Sequence, residues 1–352
     1  MHESGARLQV SALSTPATAD GFRLHDLDFE LAPGERVAIL GPSGAGKSTL
    51  LRALCGLERS SGTIAIGGHR IDGLPPHRRG IAYLPQRAAL YPQWTVREQL
   101  EFAKSKSRKD VSDAIELLNI GSLLHRRPHQ LSGGERQRVS LAKLVVQDRP
   151  VWLLDEPFSG LDPAFRGDFR HELHLLASRI RPTMLLVTHD PTDAVALGHR
   201  IGVLVDGTLQ QLGTPEELQT DPRHRFVSFC RGDFSHLTGR ISNGRFEADD
   251  GSCNVPAAVQ SVRPVELVLR AGDIVPRTID DGEPHLCDWT VLRCDRQPAG
   301  ALLTLTKRQS RVLVLWRGAE WPEIDSTGHW MVSPGAGFWF DAATGLRLEA
   351  TP

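Results

Sequence analysis

Residues 41–49 read GPSGAGKST and match G-x-x-x-x-G-K-[ST], the pattern of a phosphate-binding loop. The apolar run at 37–40 predicts a buried strand before the loop, and leucines at helical spacing follow it. Strand, glycine-rich turn and helix together direct backbone N–H groups and a positive helix terminus at one point, which suits a polyphosphate. We therefore predict a nucleoside triphosphate site formed by Gly41, Pro42, Ser43, Gly44, Ala45, Gly46, Lys47, Ser48 and Thr49.

Two side chains of this loop have distinct predicted roles. Lys47 is expected to reach the β- and γ-phosphates and to act in catalysis, and the Ser48 hydroxyl is expected to ligate Mg²⁺. The alternative is a glycine-rich turn that carries Lys-Ser by chance. The flanking strand and helix patterns argue against that alternative.

A second chemical signal is the pair Asp155 and Glu156, which ends the apolar run 151–154. Functional groups of α/β sheets lie at such carboxyl ends of strands. Adjacent side chains of a strand point to opposite sides, so the two carboxylates cannot share one task. We predict that Asp155 holds Mg²⁺ and that Glu156 deprotonates the attacking water.

The segment Leu131-Ser132-Gly133-Gly134-Glu135 is a second candidate for anion binding, because it offers a hydroxyl and approachable backbone N–H groups at a helix start. The alternative is an ordinary N-cap with a glycine-rich lead-in. One triphosphate does not need two such loops from one chain. Two chains arranged head to tail would use both, with each nucleotide between the Lys47 loop of one copy and the Ser132 loop of the other.

Two further candidates, Gln86 and His189, are weak in isolation. His189 lies at the end of a predicted strand, and Gln86 follows a predicted strand and a proline. An amide can ligate Mg²⁺ or orient water, but most glutamines do neither. A lone histidine is more often a surface residue or a satisfied core residue.

Around these residues, alternating apolar strands and helices predict an α/β fold with a parallel sheet covered on both faces. Helical spacing without strand signals over about 95–130 predicts a helical insertion in this core. Beyond about residue 231 the periodicity changes to two, with strands separated by Gly, Pro and Asp. The predicted domains are therefore 1–231 and an all-β domain, 232–352, built as one or two small barrels.

Composition restricts the function classes. The 352 residues carry 41 Lys plus Arg and 42 Asp plus Glu, which gives a net charge of −1 and no electrostatic sign of nucleic-acid binding. No stretch reaches the roughly 20 apolar residues that span a bilayer, and the N-terminus has no secretory pattern. A cytosolic protein is expected, whose contact with a membrane would come through a partner.

Taken together, these motifs resemble those of the ATP-binding subunits of ABC transporters. Residues 41–49 resemble the Walker A motif, 131–139 (LSGGERQRV) the signature motif and 151–157 (VWLLDEP) the Walker B motif. Gln86 is similar to the Q-loop residue, SGLD with Asp162 to the D-loop, and His189 to the switch histidine. The resemblance implies ATP and Mg²⁺ as ligands, an ATP-sandwich homodimer, and a γ-phosphate contact from His189.

The residues toward the C-terminus narrow the resemblance to one subgroup of the family. Residues 213–227 and 262–269 are similar to importer ATPases with a C-terminal OB-like regulatory domain, which serve uptake of sugars, polyamines, ferric iron or oxyanions. This implies permease partners, an indirect link to a solute-binding protein, and a place on the cytoplasmic face of the cell membrane. Residues 91–96 resemble the segment near the permease. Only Phe22 offers an aromatic ring between residues 8 and 25, so the adenine contact is left unassigned.

Other classes of ATPase or kinase would require different sequence features. A soluble ABC ATPase acting on DNA or ribosomes predicts a long coiled-coil insertion or a second ATPase module, together with a basic face. A phosphate-loop kinase outside the ABC family would lack the Ser132 loop. An exporter ATPase is disfavoured by the β-rich tail.

Overall fold

The computed structural model describes residues 5–19, 21–87, 89–104, 111–228, 234–276, 286–297, 300–318, 322–333 and 335–349. The chain divides into two compact units, Met1–Glu216 and Glu217–Pro352. The strands of the first unit are β1 (Leu8–Ser14), β2 (Leu27–Leu31), β3 (Arg36–Leu40), β4 (Ser61–Ile66), β5 (His69–Arg70), β6 (Ile81–Leu84), β7 (Val151–Asp155), β8 (Thr183–Thr188), β9 (Arg200–Val205) and β10 (Thr208–Gly213). The helices of the chain are α1 (Lys47–Cys55), α2 (Val96–Lys104), α3 (Val111–Leu117), α4 (Gly133–Gln147), α5 (Pro163–Ile180), α6 (Pro191–Leu197), α7 (Pro215–Thr220) and α8 (Arg225–Ser228).

The central sheet of the first unit has the order β10-β9-β3-β8-β7-β6. Its strands are parallel except β10, which forms an antiparallel hairpin with β9. Asp206 and Gly207 turn this hairpin, and both have positive φ, as a tight turn between twisted strands requires. The predicted α/β fold with a parallel sheet is therefore confirmed.

A second, antiparallel sheet of the first unit has the order β2-β1-β4-β5. It shares one apolar core with the central sheet and α1, in which Leu8, Leu13, Ile39, Leu54 and Leu153 are almost completely buried. Helix α1 ends at Gly56, whose positive φ lets its N–H and the next one bond back to the last turn of the helix. This core holds β3 and α1, which flank the phosphate loop, in position.

The predicted helical insertion, 95–130, contains α2 and α3, of which α2 packs against α4. The basic run that ends α2 continues into 105–110, outside the described residues. Helix α4 begins with a capping box, in which the Ser132 hydroxyl accepts from the Glu135 N–H and the Glu135 carboxylate accepts from the Ser132 N–H. Among the described residues, no helix is long and apolar enough to cross a membrane.

Apart from most of α7, from α8 and from short turns, the described residues of the second unit form β-strands and loops, as the sequence predicts. Its two antiparallel sheets have the orders β13-β12-β11-β14-β20 and β15-β19-β16-β17-β18, and they share one core. The strands are β11 (Phe234–Ser242), β12 (Arg245–Ala248), β13 (Asn254–Pro256), β14 (Val265–Arg270), β15 (Ile274–Pro276), β16 (Leu286–Gln297), β17 (Gly300–Lys307), β18 (Ser310–Trp316), β19 (Thr327–Val332) and β20 (Phe338–Asp341).

The boundary between the units lies earlier than the predicted position, 231. The physical reason is a set of polar contacts that bind His224 and Arg225 to residues of the second unit. The Arg225 N–H donates to the Gly345 carbonyl, His224 forms a β-bridge with Leu346, and the Arg225 guanidinium pairs with Glu266. Residues after α7 therefore belong to the second unit.

We predict that a fragment of residues 1–221, which keeps α7 complete, binds ATP with the affinity of the full chain to within about threefold, because the phosphate loop lies in the first unit. Isothermal titration with a non-hydrolysable ATP analogue measures this. The matched fragment 1–231 retains Arg225 without its partners and is expected to unfold at a lower temperature. A folded 1–221 fragment that fails to bind the nucleotide would contradict this division of the chain.

Candidate functional site

The phosphate loop connects β3 to α1 at the carboxyl edge of the central sheet. Its backbone requires glycine at particular positions. A Cβ on Gly41 would lie 2.2 Å from the Leu204 carbonyl oxygen, and Gly44 and Gly46 have φ values of +83° and +98°. Because L-residues rarely adopt such angles, the spacing of these glycines fixes the loop geometry.

Lys47 begins α1 and is almost completely buried. Its ammonium donates to the carbonyl oxygens of Gly41 and Pro42, at 2.7 and 2.9 Å. Burial lowers the pKa of Lys47, and the nearby carboxylates of Glu156 and Asp155 oppose this shift. The ammonium is therefore bound to backbone oxygens of the loop and lies near the two carboxylates at the end of β7.

Asp155 links the loop to two neighbouring elements. The Ser48 hydroxyl donates to Asp155 Oδ1 at 2.9 Å, and the Tyr83 hydroxyl donates to Asp155 Oδ2 at 3.1 Å. Burial and the Asp155 charge raise the pKa of Tyr83, so its phenol keeps the proton that it donates. A serine hydroxyl beside a buried carboxylate is a set of hard oxygen donors of the kind that Mg²⁺ prefers, so these residues fit that ion.

Glu156 and His189 form a second polar pair at this edge. Glu156 has φ of +48°, and its N–H donates to the Val187 carbonyl oxygen. Its carboxylate lies 2.7 and 2.9 Å from Nδ1 of His189. A glutamate in the left-handed region costs on the order of 1–3 kcal/mol, and such strain is concentrated at functional sites. The side chain of His189 is more than half exposed, whereas that of Glu156 is nearly buried.

A pocket of about 400 Å³ opens at the loop. It brings together several predicted site residues with two residues to which the sequence assigned no role, Thr18 and Phe22. The Phe22 ring packs directly on Gly46, since a Cβ there would lie 2.5 Å from Phe22 Cζ. The pocket is lined by Thr18, Phe22, Ser43, Gly44, Gly46, Lys47, Ser48, Thr49, Gln86 and Glu156.

The Ser132 loop lines a different pocket, of about 520 Å³, and shares no residue with the first. The start of α5 forms the facing wall, where the Asp162 carboxylate accepts from the Ala164 N–H and caps the helix. The predicted residues on this wall and loop are Ser132, Gly133, Gly134, Glu135 and Asp162. The structure therefore brings the predicted site residues together in two groups rather than one.

A sequence profile described as "ABC transporter" matches residues 24–159. The sn-glycerol-3-phosphate import ATP-binding protein UgpC of Yersinia pseudotuberculosis is 36% identical over 342 residues, covering 93% of this chain and 94% of that protein. The chain belongs to the ABC transporter family. The UgpC protein of Escherichia coli O157:H7 is 41% identical over 237 residues, covering 64% of this chain and 67% of its own length.

Among solved structures, the ABC protein CbiO1 of Clostridium perfringens, described as part of the transporter complex CbiONQ, has a TM-score of 0.55. It is 26% identical, and the match covers 62% of this chain and 92% of CbiO1. The family predicted from the motifs is confirmed, and so is the phosphate-loop core followed by a β-rich region. This ABC chain is therefore an ATP-binding subunit and an ATPase.

Tyr83 is the main residue at this site to which the sequence assigned no role. It lies in β6, the strand before Gln86, and β6 pairs in parallel with β7, so its hydroxyl reaches the side chain that ends the neighbouring strand. A polar aromatic residue in an otherwise apolar strand run was the available signal. Phe22 is the aromatic residue between residues 8 and 25 in the sequence, and its packing on Gly46 puts the ring at the loop.

We predict that Tyr83→Phe raises the Mg²⁺ concentration needed for half-maximal ATPase activity by about three- to tenfold, because Asp155 loses a hydrogen bond worth roughly 1 kcal/mol. Magnesium titrations of steady-state phosphate release measure this. The matched control is Tyr91→Phe at the only other tyrosine of the chain, which should leave the magnesium dependence unchanged. Equal magnesium curves for Tyr83→Phe and wild type would contradict the role of Tyr83.

Proposed function

We propose that this chain is the subunit that hydrolyses ATP for a binding-protein-dependent importer. The observation that carries the proposal is the pocket in which Lys47, Ser48, Gln86 and Glu156 meet, while the Ser132 loop lines another. The first group is equipped to bind and hydrolyse a triphosphate. The import ATP-binding proteins that share most of the chain's length support the direction of transport.

In the proposed reaction, Glu156 acts as general base on a water that attacks the γ-phosphate of ATP. The water proton passes to the Glu156 carboxylate, the bond to the γ-phosphorus forms, and the bond to the ADP oxygen breaks. His189, whose Nδ1 hydrogen-bonds with Glu156, orients that carboxylate and contacts the γ-phosphate. The ammonium of Lys47 neutralises phosphate charge at the loop.

Mg²⁺ would be held by Ser48 and Asp155, with Gln86 at the rim of the same pocket. When bound, the ion neutralises charge on the β- and γ-phosphate oxygens. For the adenine we propose Phe22, because its ring lines the pocket beside Gly46. An aromatic face is a suitable stacking surface for a base.

We further propose that two copies of the chain complete two equivalent sites. Each ATP would lie between the Lys47 loop of one copy and the Ser132 loop of the other. The support is the separation of the two groups in one chain, each on its own pocket. Asp162, opposite the Ser132 loop, would then also face the other copy.

We predict that Lys47→Ala and Gly134→Asp are each inactive alone but recover activity when mixed. The mixed dimer contains one site with both changes and one intact site, so about a tenth or more of wild-type turnover should return after subunit exchange. A Cβ on Gly134 meets no atom within 4 Å, so the substitution does not strain the isolated chain at this atom, and the added carboxylate would repel phosphate.

The control for this mixture is Gly73→Asp, which also introduces a carboxylate at an open position but lines neither pocket. It should remain active alone. Phosphate release from singly and jointly refolded variants gives the comparison. No recovery from the mixture, with both variants folded, would mean that each chain holds a complete site.

The permease is proposed to contact an aromatic cluster formed by Tyr91, Trp94 and Phe102. The three rings contact one another at centroid distances of 4.4 to 5.7 Å, yet Tyr91 and Phe102 are about half exposed. The buried Gln99 amide accepts from the Tyr91 N–H, and Lys143 of α4 donates to the Ala89 carbonyl. The cluster is thus held to the helix that begins at the Ser132 loop.

This partner puts the chain at the cytoplasmic face of the membrane. The cargo would be selected by the permease and the solute-binding protein, since the residues of the ATP site act on ATP whatever the solute. Residues 217–352 are proposed to form the regulatory, OB-like domain that the tail resembles.

We predict that Phe102→Ser reduces copurification of the permease with the chain by about tenfold, because a half-buried aromatic ring at an interface commonly contributes more than 1 kcal/mol. ATPase activity of the isolated subunit should stay within about twofold of wild type. The control is Leu57→Ser, another exposed apolar side chain, which should leave copurification intact. Equal permease recovery with both variants would exclude the cluster as the contact.

A further inference from the structure

Asp193, in the first turn of α6, is a fully buried carboxylate outside the pockets described above. Two arginines of α5 hold it. Arg166 Nη2 lies 2.6 Å from Asp193 Oδ2, and Arg170 Nε and Nη2 lie 2.9 and 2.8 Å from Oδ1. A buried ion pair of this kind is weak support for stability alone, because desolvation offsets much of the attraction.

The cluster of Asp193, Arg166 and Arg170 is significant because it contacts the residues on both sides of His189. The Thr188 hydroxyl donates to Asp193 Oδ2 at 3.4 Å, and the Asp190 N–H donates to the Thr188 hydroxyl at 3.0 Å. Arg166 also pairs with the Asp190 carboxylate at 3.3 Å. These contacts hold the residues on both sides of His189.

The other end of the connection is the helix α5. Its N-cap is Asp162, on the wall of the Ser132 pocket, and the arginines follow one and two turns later. Helix α5 has 18 residues, so a displacement at Asp162 would move the arginines that bind Asp193. Within one chain, helix α5 and the contacts of Asp193 thus connect the Ser132 pocket to the turn that carries His189.

We propose that Asp193, clamped by Arg166 and Arg170, is a positioning residue that ties His189 to helix α5. This proposal rests on the proposed function, in which His189 orients Glu156. The cluster positions the turn that carries His189 relative to Glu156, and it does not itself contact the nucleotide. Because Asp162 begins the same helix, the geometry at the γ-phosphate responds to what occupies the Ser132 pocket.

The test is a double-mutant cycle between Asp193→Asn and His189→Ala, with phosphate release measured on the full-length chain at saturating Mg-ATP. Asp193→Asn should lower kcat by about tenfold to a hundredfold, the cost of a misplacement of order 1 Å. Its KM for ATP should stay within about twofold, since Lys47 is untouched. In the His189→Ala background the same change should have no further effect on kcat.

The matched control is Glu172→Gln, which removes an arginine–carboxylate pair between the same helix α5 and Arg138 of α4. It should leave kcat within about twofold of wild type. Arg170→Gln, which keeps Arg166 on the carboxylate, should reproduce the Asp193→Asn defect in kcat, and Arg170→Lys should restore part of it. Arg170→Gln also replaces Asp193→Asn in the cycle if that variant does not fold.

Wild-type kcat for folded Asp193→Asn or Arg170→Gln overturns the inference, and so does an equal loss in the presence and absence of His189. Neither result affects the proposed function. That function instead fails if Lys47→Ala and His189→Ala both turn over ATP at the wild-type rate.

Discussion

The parallel hydrogen bonding of β3, β8 and β7 brings the polar residues at the carboxyl edge of the central sheet together. In this register Leu40 lies opposite Thr188, and Asp155 lies opposite Val187. The residues that follow these strands therefore emerge side by side. Those residues are Gly41, Glu156 and His189. A slip of one residue in either pairing would turn the side chains at the edge to the opposite face of the sheet. The buried apolar residues that fix this register therefore also determine which polar side chains reach the site.

The charges at this edge are acceptable only because each has a partner. Lys47, Asp155 and Glu156 are all nearly buried, and each contacts backbone oxygens, hydroxyls or another titratable side chain. Burying an unpaired charge is costly, so the site behaves as one connected set. Tyr83 belongs to that set, because its phenol satisfies the Asp155 oxygen that Ser48 leaves free.

The residues that line the Ser132 pocket form a second group, separate from the Lys47 pocket. The Ser132 capping box and the Asp162 N-cap begin two helices that border one pocket, and neither group contributes to the Lys47 pocket. The described lining of this pocket has the two glycines of the Ser132 loop and a helix terminus, which suit an anion, but no lysine. This division is the reason for proposing a dimer with shared sites. Helix α5 begins after Asp162 in this second group, and its arginines bind Asp193, which lies close to His189 in the chain.

The sequence alone determined the family, the phosphate loop and the order of the motifs, because these depend on local patterns such as glycine spacing, caps and strand runs. It also predicted the parallel sheet and the all-β tail from periodicity. Only the tertiary structure decided that Tyr83 bonds to Asp155, that Phe22 packs on Gly46 and that Asp193 pairs with two arginines of α5. These contacts join residues far apart in the chain, and they follow from strand order and helix packing, for which no local pattern provides a signal. The unit boundary near Glu216 has the same origin, since Arg225 belongs to the second unit through contacts with Glu266 and Gly345.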